Sequence, residues 1–216
     1  MKPVNMVIQA FFYLILLSCI VSIPVSAYSG EAVQWYSQGN VNLEAKNYSQ
    51  AVQAYDHAIT IDPEYFEAWN AKADALNRAG NYTGALAVSD QVIRLKPDYV
   101  RGWINRGFIL YNLGRYDDEL KAYRTAVSID PSSPEGWFNI GYSLAGMKRY
   151  DEAIAAFDKV QALDPSYPNL AANRRIAEQY RDSSIPFYIR YAPALVGIIV
   201  FVTGTGIWYF AIRKKN

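Results

Sequence analysis

Cysteine is almost absent from this chain of 216 residues: Cys19 is the only one, and it lies in an apolar leader. Once that leader is removed, no disulfide, cysteine nucleophile or thiolate metal site can form. Histidine is as scarce. His57 stands alone, and one imidazole can build neither the usual zinc sites nor a Ser–His nucleophile without partners that the nearby sequence lacks. An excess of basic charge is also missing. Residues 28–186 hold 16 Lys or Arg against 20 Asp or Glu, a net charge of −4. Nucleic acid requires the opposite balance. No phosphate loop, His-Glu-x-x-His or EF-hand pattern occurs. The run 141–146, GYSLAG, misses the nucleophile-elbow pattern by one residue and sits within a helical segment. Asp117, Asp118 and Glu119 supply too few oxygens for calcium, and their place at a helix start accounts for them through capping and the helix dipole. No catalytic, cofactor-binding or metal-binding residue is therefore expected, and the chain reads as a non-enzyme.

What the chain does have is a period. Trp35, Trp69, Trp103 and Trp137 are spaced by 34 residues, as are Pro63, Pro97, Pro131 and Pro165. Tyr48, Tyr82, Tyr116 and Tyr150 keep the same step, and so do the small residues Gly39, Ala73, Gly107 and Gly141. A fixed period of this size means one supersecondary unit repeated and stacked. Each unit reads as two helices. The first runs from about the Trp to a turn such as Gly80-Asn81 or Gly114-Arg115. Ser49, Thr83, Asp117 and Asp151 are expected to cap the second. That helix carries apolar residues at helical spacing, for example Ala153, Ile154, Phe157, Val160 and Leu163. Asp-Pro or Lys-Pro ends it, because Pro lacks the amide hydrogen and restricts the residue before it. Ser133, Pro134 and Glu135 form an N-cap, a first-turn proline and a first-turn acid, so the next helix restarts there.

These residues, and above all Trp137, Ile140, Gly141, Ala153, Phe157 and Pro165 in the fourth unit, resemble the tetratricopeptide repeat family. The resemblance covers about 32–167 plus a trailing helix. It implies an all-α superhelical solenoid with repeats at 32–65, 66–99, 100–133 and 134–167, and a capping helix at 168–182. Three departures stand out. Gln38, Lys72 and Arg106 replace the family's large apolar residue. Ser89 replaces the aromatic seen as Tyr55, Tyr123 and Phe157. Glu119 stands where other units have Ala51, Ala85 and Ala153.

The two ends suggest a location. An apolar run over 6–25 leads into Val25, Ser26 and Ala27, which reads as a signal peptide, 1–27, cut after Ala27. Its length also allows an uncleaved anchor. Leu16, Leu17, Ser18 and Cys19 faintly resemble a lipobox, although the apolar run continues beyond Cys19. Residues 191–212 carry no charge and are long enough to cross a bilayer. Tyr188, Tyr191, Trp208 and Tyr209 flank them as interfacial aromatics do, and Arg213, Lys214 and Lys215 follow. The expectation is a single-pass protein in the cell membrane, with its repeats outside the cytoplasm and a tail, 213–216, inside. Asn47 and Asn81 lie in sequons and are candidate N-glycosylation sites, although turn and cap chemistry alone would produce both motifs.

Helix geometry, at about 100 degrees per residue, places the sites one, five and eight after each Trp on a second stripe beside the packing stripe. In the family this stripe lines a concave groove that contacts partners. Here it holds Tyr36, Asn40, Asn70, Asp74, Asn77, Ile104, Phe108, Tyr111, Phe138 and Tyr142. Arg101, Glu67 and Glu135 point the same way, with Asn105 and Asn139 at the edge. The groove is expected to be polar in its first half and aromatic in its second. Some family members clamp a chaperone's C-terminal carboxylate with Lys, Arg and Asn. Here Asn40, Arg101 and Asn105 fit that pattern, while Tyr36 and Ala71 break it. The resulting expectation is a membrane-tethered scaffold that binds a peptide or helix of an unidentified protein, with the bilayer as its other partner. The alternative is a structural subunit or spacer held through the transmembrane helix. Phe108, Phe138 and Tyr142 have an alternative of their own, as packing between neighbouring helices.

Overall fold

The computed structural model describes residues 28–184. The segments read as a signal peptide, a membrane span and a tail lie outside the described residues. Among those described, no helix is long and apolar enough to cross a membrane.

Nine helices and no strand occur in the described chain: α1 (Gly30–Glu44), α2 (Tyr48–Ile61), α3 (Phe66–Arg78), α4 (Tyr82–Leu95), α5 (Val100–Asn112), α6 (Tyr116–Ile129), α7 (Pro134–Gly146), α8 (Tyr150–Leu163) and α9 (Leu170–Ser184). Each packs chiefly on its neighbours in sequence, as a solenoid of hairpins requires. α1 begins two residues ahead of 32 because Ser29 caps it, its Oγ accepting from the Ala32 N–H at 3.1 Å. α9 runs to Ser184, beyond the expected 182.

The turns inside each hairpin differ from expectation. Tyr48, Tyr82, Tyr116 and Tyr150 are the first helical residues, so Ser49, Thr83, Asp117 and Asp151 sit one residue inside and are not the caps. The reason is backbone geometry. Lys46, Gly80, Gly114 and Lys148 have φ between 61° and 83°. In the second hairpin the Gly80 N–H donates to Asn77 O and the Asn81 N–H to Leu76 O. This pair of bonds closes one helix while the same Asn81 starts the next. Three residues therefore serve as the whole connection. Glycine suits the left-handed position at 80 and 114 because it has no Cβ to clash.

The periodic residues have mechanical roles. The indole N–H groups of Trp69, Trp103 and Trp137 donate to the carbonyls of Pro63, Pro97 and Pro131 at 2.8–2.9 Å, tying each first helix to the turn before it. Trp35 instead stacks on His57, centroids 4.4 Å apart, so the lone histidine has a packing role. Tyr55, Tyr123 and Phe157 are fully buried and lie so close over Gly39, Gly107 and Gly141 that a Cβ there would collide with the ring. In the second unit the pair is Ser89 and Ala73: the missing ring leaves room for a methyl, and Ile109 of the next unit packs into the same cluster.

Lys72 and Arg106 do not weaken the stack. Lys72 pairs with Asp56 and Arg106 with Asp90, one step of 34 apart, and Arg174 of α9 repeats the pattern with Asp158. Partial exposure of these pairs limits each to less than about 1 kcal/mol. They set register between neighbouring hairpins more than they add stability.

Candidate functional site

The first helices of successive hairpins line one face. Ten residues from the predicted stripe and its margins, Tyr36, Asn40, Asn70, Asp74, Asn77, Arg101, Ile104, Asn105, Phe108 and Glu135, surround a cavity of about 570 Å³ between α1, α3, α5 and α7. Asparagines connect the helices across it. The Asn105 Nδ2 donates to both Asn70 O and Asn70 Oδ1 at 3.2 Å, and the Asn112 Nδ2 donates to Asn77 Oδ1 at 2.8 Å. Asn40 Oδ1 accepts from the Tyr55 hydroxyl at 2.8 Å. Asp74 accepts from Arg78 Nε through both oxygens, which holds the Arg78 guanidinium above its ordinary pKa. Arg101 is exposed at the rim.

A second cavity, of about 370 Å³, adjoins the first and shares Phe108 with it. Tyr111, Asn112, Tyr123, Phe138, Asn139 and Tyr142 complete its walls together with Glu119. Phe108, Tyr111 and Tyr142 are 43%, 44% and 51% exposed, so about half of each side chain is open to a partner. The alternative of pure packing applies to others on the stripe. Ile104 is buried in the core cluster. Phe138 is half-buried, with its ring 5.7 Å from Phe157 and 5.0 Å from Tyr167.

Glu119 is the residue whose role sequence reasoning missed. Its first-turn position suggested capping, yet it is 2% exposed, and Asp118 is the acid that pairs with Arg115 and Lys121 at the surface. Burial pushes the Glu119 carboxyl up to about 7, and nearby Ser143 pulls slightly the other way. Glu119 Oε2, Ser143 Oγ and Asn139 Nδ2 are buried without a well-directed hydrogen bond. The departure from alanine at 119 was the available signal. Its meaning depended on what faces it.

The arrangement offers exposed surfaces and hydrogen-bonding groups. Among the described residues no cluster of His, Cys, Asp and Glu could hold a metal. Asn47 is exposed and makes no capping bond, whereas Asn81 Oδ1 accepts from the Gly84 N–H at 3.1 Å.

Comparison with known proteins agrees with this architecture. Residues 36–99 and 70–134 match one model of the tetratricopeptide repeat, and 134–167 match another. TTC0263, a thermophilic TPR protein of Thermus thermophilus, superposes with a TM-score of 0.62 at 19% identity, over 69% of this chain and 82% of that one. YrrB, a TPR protein with an unusual peptide-binding site, superposes at 0.56 and 20% identity, over 71% and 79%. The first TPR of Spaghetti, bound to the HSP90 peptide SRMEEVD, gives 0.53 and 18%, over 55% and 97%. At such identities the likeness is one of fold. No curated protein sequence matches the chain.

Proposed function

The chain belongs to the tetratricopeptide repeat family, and on that footing we propose that it is a non-catalytic adaptor whose groove holds an extended segment of a protein partner. We propose further that residues 191–212 tether it to a membrane, with the repeats on the extracytoplasmic side. The observation that carries the docking reading is the pair of adjoining cavities, polar around Asn70 and Asp74 and aromatic around Tyr111 and Tyr142, joined at Phe108. Exposed aromatics beside fixed polar groups are the usual anchors of an interface. Two of the similar folds, YrrB and the Spaghetti domain, are peptide-binding proteins by description, which supports the same use here.

The polar half would hold the segment's backbone through the asparagine amides, and Arg101 would meet an acidic group. The aromatic half would take the apolar side chains. The test is a double substitution, Phe108→Ala with Tyr142→Ala. Both rings are substantially exposed, so helicity should persist while capture of the partner from solubilised membranes weakens about tenfold or more. Unchanged capture would remove the groove assignment. Orientation has a separate test: protease added to intact cells should cut within the repeats, and their full protection would remove the extracytoplasmic placement.

A further inference from the structure

A third cavity, of about 610 Å³, lies behind Tyr111 and Tyr142 at the far end of the array. Five tyrosines line it, and four of them meet in two pairs. Tyr111 and Tyr116 meet edge to face at 5.8 Å, and Tyr150 and Tyr180 stack at 6.0 Å. Glu119 and Ser143 form part of the same wall, and Glu119 also lines the neighbouring cavity that holds Asn139.

The polar pair breaks a rule that the rest of the array obeys. Glu119 and Ser143 meet where one hairpin packs on the next. The positions one period earlier are Ala85 and Ile109, two periods earlier Ala51 and Ala75, and one period later Ala153 and Ala177. All six are completely buried. Three seams are thus closed by apolar pairs, and one carries a carboxyl and a hydroxyl. Tyr111, Glu119 and Tyr142, from α5, α6 and α7, line both of these cavities. A packing role alone does not explain this choice, since alanine fills the same slot elsewhere with no polar atom to bury.

We propose that this tyrosine-walled cavity receives a basic side chain, arginine or lysine, of the bound segment, with Glu119 as its counter-ion. The inference rests on the peptide-docking reading above and names the chemistry of one anchor. Two observations point to a cation, and a third to the peptide backbone beside it. The Glu119 carboxyl lines the cavity with only the neighbouring Ser143 hydroxyl set against it, which leaves acceptor capacity unfilled, and a guanidinium or ammonium carries several donors. Tyrosine faces attract a cation, above all a planar guanidinium. The neighbouring orphan, Asn139 Nδ2, is a donor, and a peptide carbonyl lying in the adjoining cavity would satisfy it. Lys148 is the one basic residue on the cavity wall and forms no ion pair with Glu119. Burial disfavours the charged form of Glu119, and a bound cation would restore it.

The experiment needs no knowledge of the partner. Full-length protein in neutral detergent is titrated calorimetrically with acetyl-Gly-Arg-Gly-amide, and in parallel with the same tripeptide carrying citrulline, which keeps the shape and removes the charge. The arginine peptide should bind at least about tenfold more tightly than the citrulline peptide, and Glu119→Gln should abolish the difference. Asp117→Asn, which removes an exposed carboxylate that lines none of the cavities, should leave both affinities unchanged. Equal affinity for the two peptides, no binding of either, or an unaltered preference in Glu119→Gln would overturn the cation site. Such a failure stays distinct from failure of the docking reading, which the Phe108 and Tyr142 substitutions decide on the whole partner.

Discussion

Replacing Glu119 and Ser143 together by alanine should make the protein more stable. The double variant restores at this seam the Ala–Ala pairing found at 51 with 75 and at 153 with 177. Two terms set the size of the gain. Removing the incompletely hydrogen-bonded Glu119 carboxyl and Ser143 hydroxyl recovers about 1–3 kcal/mol at most. Moving the Glu119 ionisation from 4.5 to about 7 is worth at most about 3 kcal/mol at neutral pH, from about 1.4 kcal/mol per pH unit, and water entering through the cavity mouth reduces that. These terms describe the same desolvation and are not summed. Lost contact of the Glu methylenes offsets part of the gain, so about 2 kcal/mol is the expected net effect at pH 8.

The sign with pH follows from the direction of the shift. A carboxyl whose folded pKa is raised costs nothing where it is protonated in both states, below about 4.5. The penalty grows as pH rises and is complete above about 7. Thermal unfolding should therefore show the double variant about 4–8 °C above the parent at pH 8, with the gap shrinking as pH falls to 4.5. A parent more stable than the variant at pH 8, or a gap that widens on acidification, would refute the account of Glu119 as a buried, unpaired carboxyl. Loss of arginine-peptide binding in the same variant would then mark a stability sacrifice retained for function.

Gly107→Ala should destabilise the third hairpin by about 1–3 kcal/mol, because the new methyl meets the buried Tyr123 ring, and denaturant unfolding measures it. In a Tyr123→Ser background, the combination that Ala73 and Ser89 already present, the same Gly107→Ala change should cost less; an equal cost would reject the steric explanation. At the turns, Asn81→Ala should cost about 1 kcal/mol through its capping bond to the Gly84 N–H, and Asn47→Ala much less; equal losses would contradict the difference in side-chain roles. In a glycosylating host Asn47 is the sequon expected to be modified more fully, which mass spectrometry of the two peptides would decide.

The number of hairpins, their order and the face that carries the groove were legible in the sequence because they follow from periodicity. A step of 34 repeated by Trp, Pro and Tyr leaves little freedom in where helices start and stop, and a 100-degree advance per residue assigns faces. Hence Asn70, Asp74, Arg101 and Phe108 could be grouped before any coordinates. The turn chemistry was misread at Ser49 and its counterparts, because a left-handed residue and the next N-cap are compressed into two positions, and good capping residues two positions beyond that N-cap go unused.

Only the tertiary structure showed that Lys72 and Arg106 are answered by Asp56 and Asp90, since 16 residues separate the partners and no local pattern links them. Only it showed, likewise, that Phe138 is packed while Tyr142 is open. Glu119 marks the boundary between the two kinds of knowledge. The chain by itself reveals that a carboxylate has replaced an alanine in a repeating slot. Whether that carboxylate faces water, a partner charge or an uncompensated cavity depends on the side chains that neighbouring hairpins bring within a few ångströms, and stacking alone decides that.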